Sequence, residues 1–154
     1  PVFAYIPFSI GINLYNQLQQ GPVVVHMKAN VLNENRTTYN VIADSPYGDL
    51  NNTVVLVAHL DSIYSEGMND NASGSVAIME IALAMKNTKA LNHMRYIWTG
   101  AEEENLDGAL YYVGNLKANE LKQIAFVLDA DVIATTNYII SVQSLKNTNY
   151  AGLS

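Results

Sequence analysis

The sequence predicts an α/β fold with a mostly parallel central sheet, doubly wound by helices. Alternation is the first reason. From residue 54 to 131, short apolar runs alternate with longer helical stretches, as strands alternate with crossover helices. The character of the runs is the second. Val54–Ala58 (VVLVA), Met94–Trp98 (MRYIW) and Ile124–Leu128 (IAFVL) are almost continuously apolar, as expected of strands covered on both faces. Bulk is the third: 154 residues with 49% hydrophobic content suffice for a core of domain size.

Taken in order, Ser9 is placed to cap a short helix carrying Ile12, Tyr15 and Leu18, with Gly21 and Pro22 as its stop. Val23–Met27 reads as a strand and Asn30–Arg36 as a polar turn. Thr37–Ala43 (TTYNVIA) is a second strand, and Ser45–Asn52, with Pro46, Gly48 and an Asn pair, is a loop. Val54–Ala58 is a buried strand. Ser73–Lys86 follows as the first long helix, with Val76, Ala77, Ile81 and Leu83 among its apolar positions. Met94–Thr99 is the next strand. Glu104–Leu116 is a helix whose Leu106, Ala109, Leu110, Val113 and Leu116 line one face. Ile124–Leu128 is another buried strand, and Ile133–Val142 one more.

Composition excludes several function classes. The net charge of −6 argues against nucleic acid or an anionic membrane as partner. The absence of Cys removes thiolate metal sites, a Cys nucleophile and disulfides. No apolar run approaches the roughly 18 residues of a membrane span. No signal peptide is visible ahead of Pro1, and the abrupt start and end create the expectation of a piece cut from a longer polypeptide. Sequons occur at Asn35, Asn51 and Asn71, as chance allows in a chain rich in Asn.

Chemistry-bearing residues follow each apolar run. Val54–Ala58 leads into His59-Leu60-Asp61, Met94–Trp98 into Glu102-Glu103-Glu104, and Ile124–Leu128 into Asp129-Ala130-Asp131; Asn69-Asp70-Asn71 stands just before a helix. If the runs are parallel neighbours, these residues share the crevice at the carboxyl ends of the strands, where open α/β sheets bind ligands. One His with several carboxylates suits a divalent metal, zinc above all. Singly, each has a plainer reading. His59 would hydrogen-bond locally, Asp70 would cap a helix, the glutamates would sit in a first helical turn, and Asp129 or Asp131 would be exposed. Two positions apart on a strand, His59 and Asp61 share a face, so Asp61 is placed to hold the other ring nitrogen of a metal-binding His59. Adjacent Glu102 and Glu103 allow one to bind metal while the other takes a proton from water. His26 and His93 read as structural or solvent-facing. Ser73 and Ser75 lack a nucleophile elbow, and no phosphate-cradling loop is present.

Ala58-His59-Leu60-Asp61-Ser62, Asn69-Asp70-Asn71-Ala72-Ser73-Gly74, Trp98-Thr99-Gly100-Ala101-Glu102-Glu103 and Asp129-Ala130-Asp131-Val132-Ile133 together resemble the di-zinc aminopeptidases of metallopeptidase family twenty-eight, over about residues 37 to 140. Residues 1 to 30 resemble the closing part of a protease-associated domain. The resemblance implies a three-layer α/β/α fold of the zinc-exopeptidase type, cut short on its C-terminal side, with residues 31–154 as the first part of the catalytic domain. It implies two zinc ions per intact site. His59 and Asp131 would bind one, Asp70 would bridge both, and Glu103 would bind the second. Glu102 would be the general base and Asp61 would orient His59. That family completes its second site with a later His, and no His follows His93 here. The expected protein is therefore a secreted or extracytoplasmic zinc aminopeptidase acting on peptides, and the piece itself is expected to be inactive. Rival readings are a carboxypeptidase or glutaminyl cyclotransferase of the same fold, or a non-catalytic receptor-like module.

Overall fold

The structure, a computed structural model, describes residues 4–137. The chain divides into two compact units, Pro1–Arg36 and Thr37–Ser154. Among the described residues of the first, the regular element is helix α1 (Phe8–Leu18). Its N-cap is Pro7 rather than Ser9, and the Pro7 carbonyl accepts the N–H groups of Ile10 and Gly11 at 3.0 Å each. Proline suits a helix start because its missing N–H would have no intrahelical partner there. Val23–Met27 is not a strand. Val24 is 94% exposed, and none of the described strand ladders includes this run. A β-branched run becomes a strand only where a second edge offers ladder hydrogen bonds.

In the second unit the described elements are β1 (Val41–Asp44), β2 (Asp49–His59), α2 (Ala72–Met85), β3 (Asn92–Thr99), α3 (Asp107–Asn115), α4 (Ala118–Gln123) and β4 (Ile124–Asp129). The strands form one sheet in the order β1-β3-β2-β4. β2 runs parallel to both β3 and β4, and β1 is antiparallel to β3. This is the expected mostly parallel sheet, and the three predicted apolar runs are its three parallel strands.

The pleat sorts side chains onto two faces. Leu56 and Ala58 stand in register with Tyr96 and Trp98, and Leu56 also with Leu128. On this face Leu56, Ala58, Tyr96 and Ile78 of α2 form the core, ringed by Val54, Ala82, Met94, Trp98 and Ala130. Full burial of a residue such as Leu56 or Ile78 stabilises by about 1.5–3 kcal/mol. The other face carries buried Val55 and Ile97, and from it Arg95 donates to the Tyr112 hydroxyl of α3 at 3.1 Å. Helices therefore cover both faces of the sheet.

Several boundaries differ from expectation. Thr37–Ala43 contributes a strand only from Val41, because the Asn40 side chain bonds the Gly108 carbonyl and the Gly100 N–H instead. Part of the expected Ser45–Asn52 loop is strand: Asp49 already registers with Asn92. Helix α2 buries Gly74 and Ile78, whereas Val76, Ile81 and Leu83 are 37–53% exposed. Helix α3 starts at Asp107, not Glu104, since Asn105 and Leu106 take left-handed backbone angles that a helix cannot include. Helix α4 was not foreseen. Its start is marked by Glu120 accepting from the N–H of Lys117 at 2.7 Å, a half capping box without the usual Ser or Thr. Of the expected strand Ile133–Val142, residues 133–137 form turns or irregular chain and 138–142 lie outside the described residues.

Candidate metal centre

His59 is the last residue of β2, a strand paired on both sides, and is only 3% exposed. Its Nδ1 lies 2.9 Å from the backbone carbonyl of Asp61. A carbonyl only accepts, so Nδ1 carries the proton and Nε2 presents its lone pair in the neutral ring. That Nε2 is 3.0 Å from Asp70 Oδ1, 3.4 Å from Asp131 Oδ1 and 3.9 Å from Glu102 Oε2. It is nevertheless buried without a hydrogen bond, because a ring lone pair and a carboxylate oxygen are both acceptors.

Asp61 holds the ring through its main chain. Its carboxylate does something else: it accepts the N–H of Glu102 at 2.9 Å and that of Glu103 at 3.1 Å. The two glutamates thus sit in a turn pinned to the end of β2. The turn closes with Leu106 donating to the Glu102 carbonyl at 2.7 Å and Asp107 to the Ala101 carbonyl at 3.0 Å.

Asp70 and Asp131 arrive from different elements. Asp70 lies in the turn entering α2. Asp131 follows β4, whose Asp129 registers with Val57, so positions 131 and 59 fall on the same face. One donor atom from each of His59, Asp70 and Asp131 lies within 4.8 Å of the others. Asp129 and Glu103 are not in that group; the Glu103 backbone N–H goes to the Asp61 carboxylate, which lies outside it. Of the remaining histidines, His26 is exposed, and His93 is buried against Asp44, with Nε2 to Oδ1 at 3.1 Å.

Electrostatics follow from this crowding. Burial alone pushes the His59 ring toward its neutral form. The Asp61 carbonyl and the carboxylates of Asp131, Glu102 and Asp61 outweigh it, and its pKa ends above the usual imidazole value. Glu102 is raised by burial first and then, against the pull of His59, by Glu103, Asp131 and Asp61. Asp129 is raised by burial and by Asp131. The arrangement concentrates negative potential at one strand end. A cation relieves it, and the donor set fits zinc: one imidazole nitrogen with its second nitrogen held by a carbonyl, and two carboxylates. Tetrahedral ligands at about 2.1 Å from zinc stand about 3.4 Å apart, close to the separations at Nε2.

Three residues read from sequence only as helix caps, or not singled out, contribute here. Asn71, 1% exposed, accepts the Gly74 N–H at 2.9 Å as a cap should, and also donates to the Ala130 carbonyl at 2.9 Å. Ser73 Oγ donates to the Asn69 carbonyl at 2.6 Å and accepts from Ile133 N–H at 3.1 Å. Asn69 accepts from Ala134 N–H at 3.0 Å and donates to Thr135 Oγ1 at 3.2 Å. The available signal was the run of polar side chains at alternate positions around Asp70.

Comparison with known proteins gives a consistent picture. The sequence model of Peptidase family M28 matches residues 40–151. The chain is 44% identical over 129 residues to a probable leucine aminopeptidase 2 of Arthroderma benhamiae, covering 83% of this chain and 26% of that protein. It is 40% identical over 115 residues to an aminopeptidase of Pseudomonas aeruginosa, covering 74% of this chain and 22% of that protein. Among solved structures, a zinc aminopeptidase from Bacillus subtilis matches with a TM-score of 0.57 and 33% identity over 61% of this chain and 24% of its own. The chain spans about a quarter of the length of these relatives.

Proposed function

Because the chain belongs to Peptidase family M28, we propose that it carries the first part of the catalytic machinery of a zinc-dependent aminopeptidase, which removes the N-terminal residue of peptides. The observation that carries this reading is His59 Nε2, buried, without a hydrogen bond, and facing the oxygens of Asp70 and Asp131. The names of the relatives, leucine aminopeptidase and zinc aminopeptidase, support the reaction and the metal. His59, Asp70 and Asp131 would hold one zinc ion, and Asp70 with Glu103 would contribute to a second. Residues 1–30 form the tail of a protease-associated domain, and the protein acts outside the cytoplasm.

Zinc, when bound, polarises the scissile carbonyl and lowers the pKa of water. The chain's own residues do the rest. Glu102, 3.9 Å from His59 Nε2, takes the proton of the attacking water and returns it to the leaving amine. Asp61 fixes Glu102 by accepting its backbone N–H. The Asp61 carbonyl keeps the His59 ring in the tautomer whose Nε2 lone pair is free.

The test is zinc content and hydrolysis of an aminoacyl-anilide by the full-length protein, beside a substrate offering only a C-terminal residue. Turnover of the first alone, abolished by chelation and by His59→Ala, supports the reading. Turnover of the second alone, or a zinc content unchanged by His59→Ala, overturns it.

A further inference from the structure

We infer that Asn71, with Asn69 and Ser73, is a set of positioning residues that fixes the distance between Asp70 and Asp131 and so sets the affinity for the metal. This rests on the metal reading above.

Segment 69–74 and segment 130–135 are far apart in sequence, yet side chains of the first grip the backbone of the second at three successive points. Asn71 holds the Ala130 carbonyl, Ser73 the Ile133 N–H, and Asn69 the Ala134 N–H, with Thr135 Oγ1 as a further partner of Asn69. Asp70 stands between Asn69 and Asn71, and Asp131 directly follows Ala130. The clamp therefore brackets both carboxylates and touches neither.

Helix capping alone does not require this arrangement. The Asn71 oxygen already caps α2 through the Gly74 N–H, and its amide nitrogen is a separate donor aimed at the other segment. Gly74 makes the approach possible: a Cβ there would lie 1.9 Å from the Ala130 oxygen, so the first turn of α2 rests directly on the backbone beyond β4. Ser75 completes the anchoring by donating to the His59 carbonyl at 2.7 Å. The start of α2 thus references the two elements that deliver the other two members of the metal group. Without a metal, two carboxylates this close repel, and the clamp adds to His59 a constraint that keeps them converged.

Asn71→Ser separates the roles, because Ser still caps a helix but is too short to reach Ala130. Ser73→Ala and Asn69→Ala remove the other two grips at positions that are only partly buried, and they carry the test if Asn71→Ser does not fold. The measurements are the zinc dissociation constant of the full chain by chelator competition and the melting temperature of the metal-free form. Loss of a group bonded directly to a metal ligand typically weakens the metal about 10–100-fold; the clamp acts one step further out, so a loss at the lower end of that range, about tenfold, is expected in each folded variant. A zinc affinity within about twofold of the unaltered chain, with only the metal-free melting temperature lowered, would overturn the inference and leave these residues as caps. If the unaltered chain binds no zinc, the metal reading falls and this inference with it.

Discussion

Glu102 and Asp61 act at the scale of single atoms, and their conservative amides separate what they do. Glu102→Gln keeps shape and hydrogen bonds but cannot take a proton, so turnover falls about 10²- to 10⁴-fold while zinc content measured by metal analysis is unchanged. Asp61→Asn places an amide NH₂ against one of the two N–H groups that the carboxylate accepts, so the Glu102–Glu103 turn loosens. The His59 ring stays held, since its partner is the main chain of residue 61. The expected result is a lower kcat with retained zinc; loss of zinc from Asp61→Asn would show that the side chain, not the carbonyl, orients the ring. Tyr96 supports a third expectation. Its hydroxyl is buried without a protein partner among the described residues, beside a cavity of about 120 Å³. Tyr96→Phe should therefore leave stability unchanged or raise it by about 1 kcal/mol in denaturant titration. At this scale the convergence of His59, Asp70 and Asp131 was legible because each lies close to a strand or helix end. The division of Asp61 between carbonyl and carboxylate was not, since it depends on the turn after β2 and on the arrival of β3 beside it.

Elements were legible where an apolar run is nearly continuous. The strands β2, β3 and β4 announce themselves by apolar runs, although β4, expected to be buried, is half exposed, with Val127 and Leu128 at 53% and 45%. The exposed edge β1 was read within Thr37–Ala43, with its start placed too early. The start of α3 was misread because its entry is set by the left-handed backbone of Asn105 and Leu106, which the apolar spacing does not reveal. Beside its ladder to β3, strand β1 is held by a polar tie at its end. Arg95 donates to Asp44 at 2.7 and 3.0 Å, and His93 lies 3.1 Å from the same carboxylate. Burial pushes the Asp44 carboxyl up, but Arg95 and then His93 outweigh it and hold it below the ordinary carboxylate value. A depressed carboxyl contributes stability that is present above its unfolded pKa and is lost as pH falls through its folded one. Stability should thus drop below about pH 4, and Asp44→Asn should flatten that part of the pH profile. With Asp44 40% exposed, the difference is under about 1 kcal/mol. Gly74→Ala has a larger effect, since its methyl meets the Ala130 backbone; a loss of about 1–3 kcal/mol is expected on denaturation.

For the molecule as a whole, zinc on the proposed reading is a ligand of the native state alone. At free zinc about 100 times the dissociation constant, stability rises by about 2.7 kcal/mol, and a chelator removes the gain. A calorimetric scan with and without chelator checks this. The parallel arrangement of β2 between β3 and β4 also has a consequence in time. The bond from Asn71 to Ala130 joins residues 59 apart, and the one from Asn69 to Thr135 joins residues 66 apart. Asp131 reaches His59 only after β4 has found its register on β2, a long-range pairing of the kind that forms slowly. The metal group is accordingly expected to assemble late, beyond the folding barrier. A ligand that meets its site only there cannot hasten the search. It lowers the escape rate instead. Stopped-flow refolding should accordingly show a folding limb indifferent to zinc and an unfolding limb slowed by it, so that the ion governs the lifetime of the native chain and not the speed of its formation.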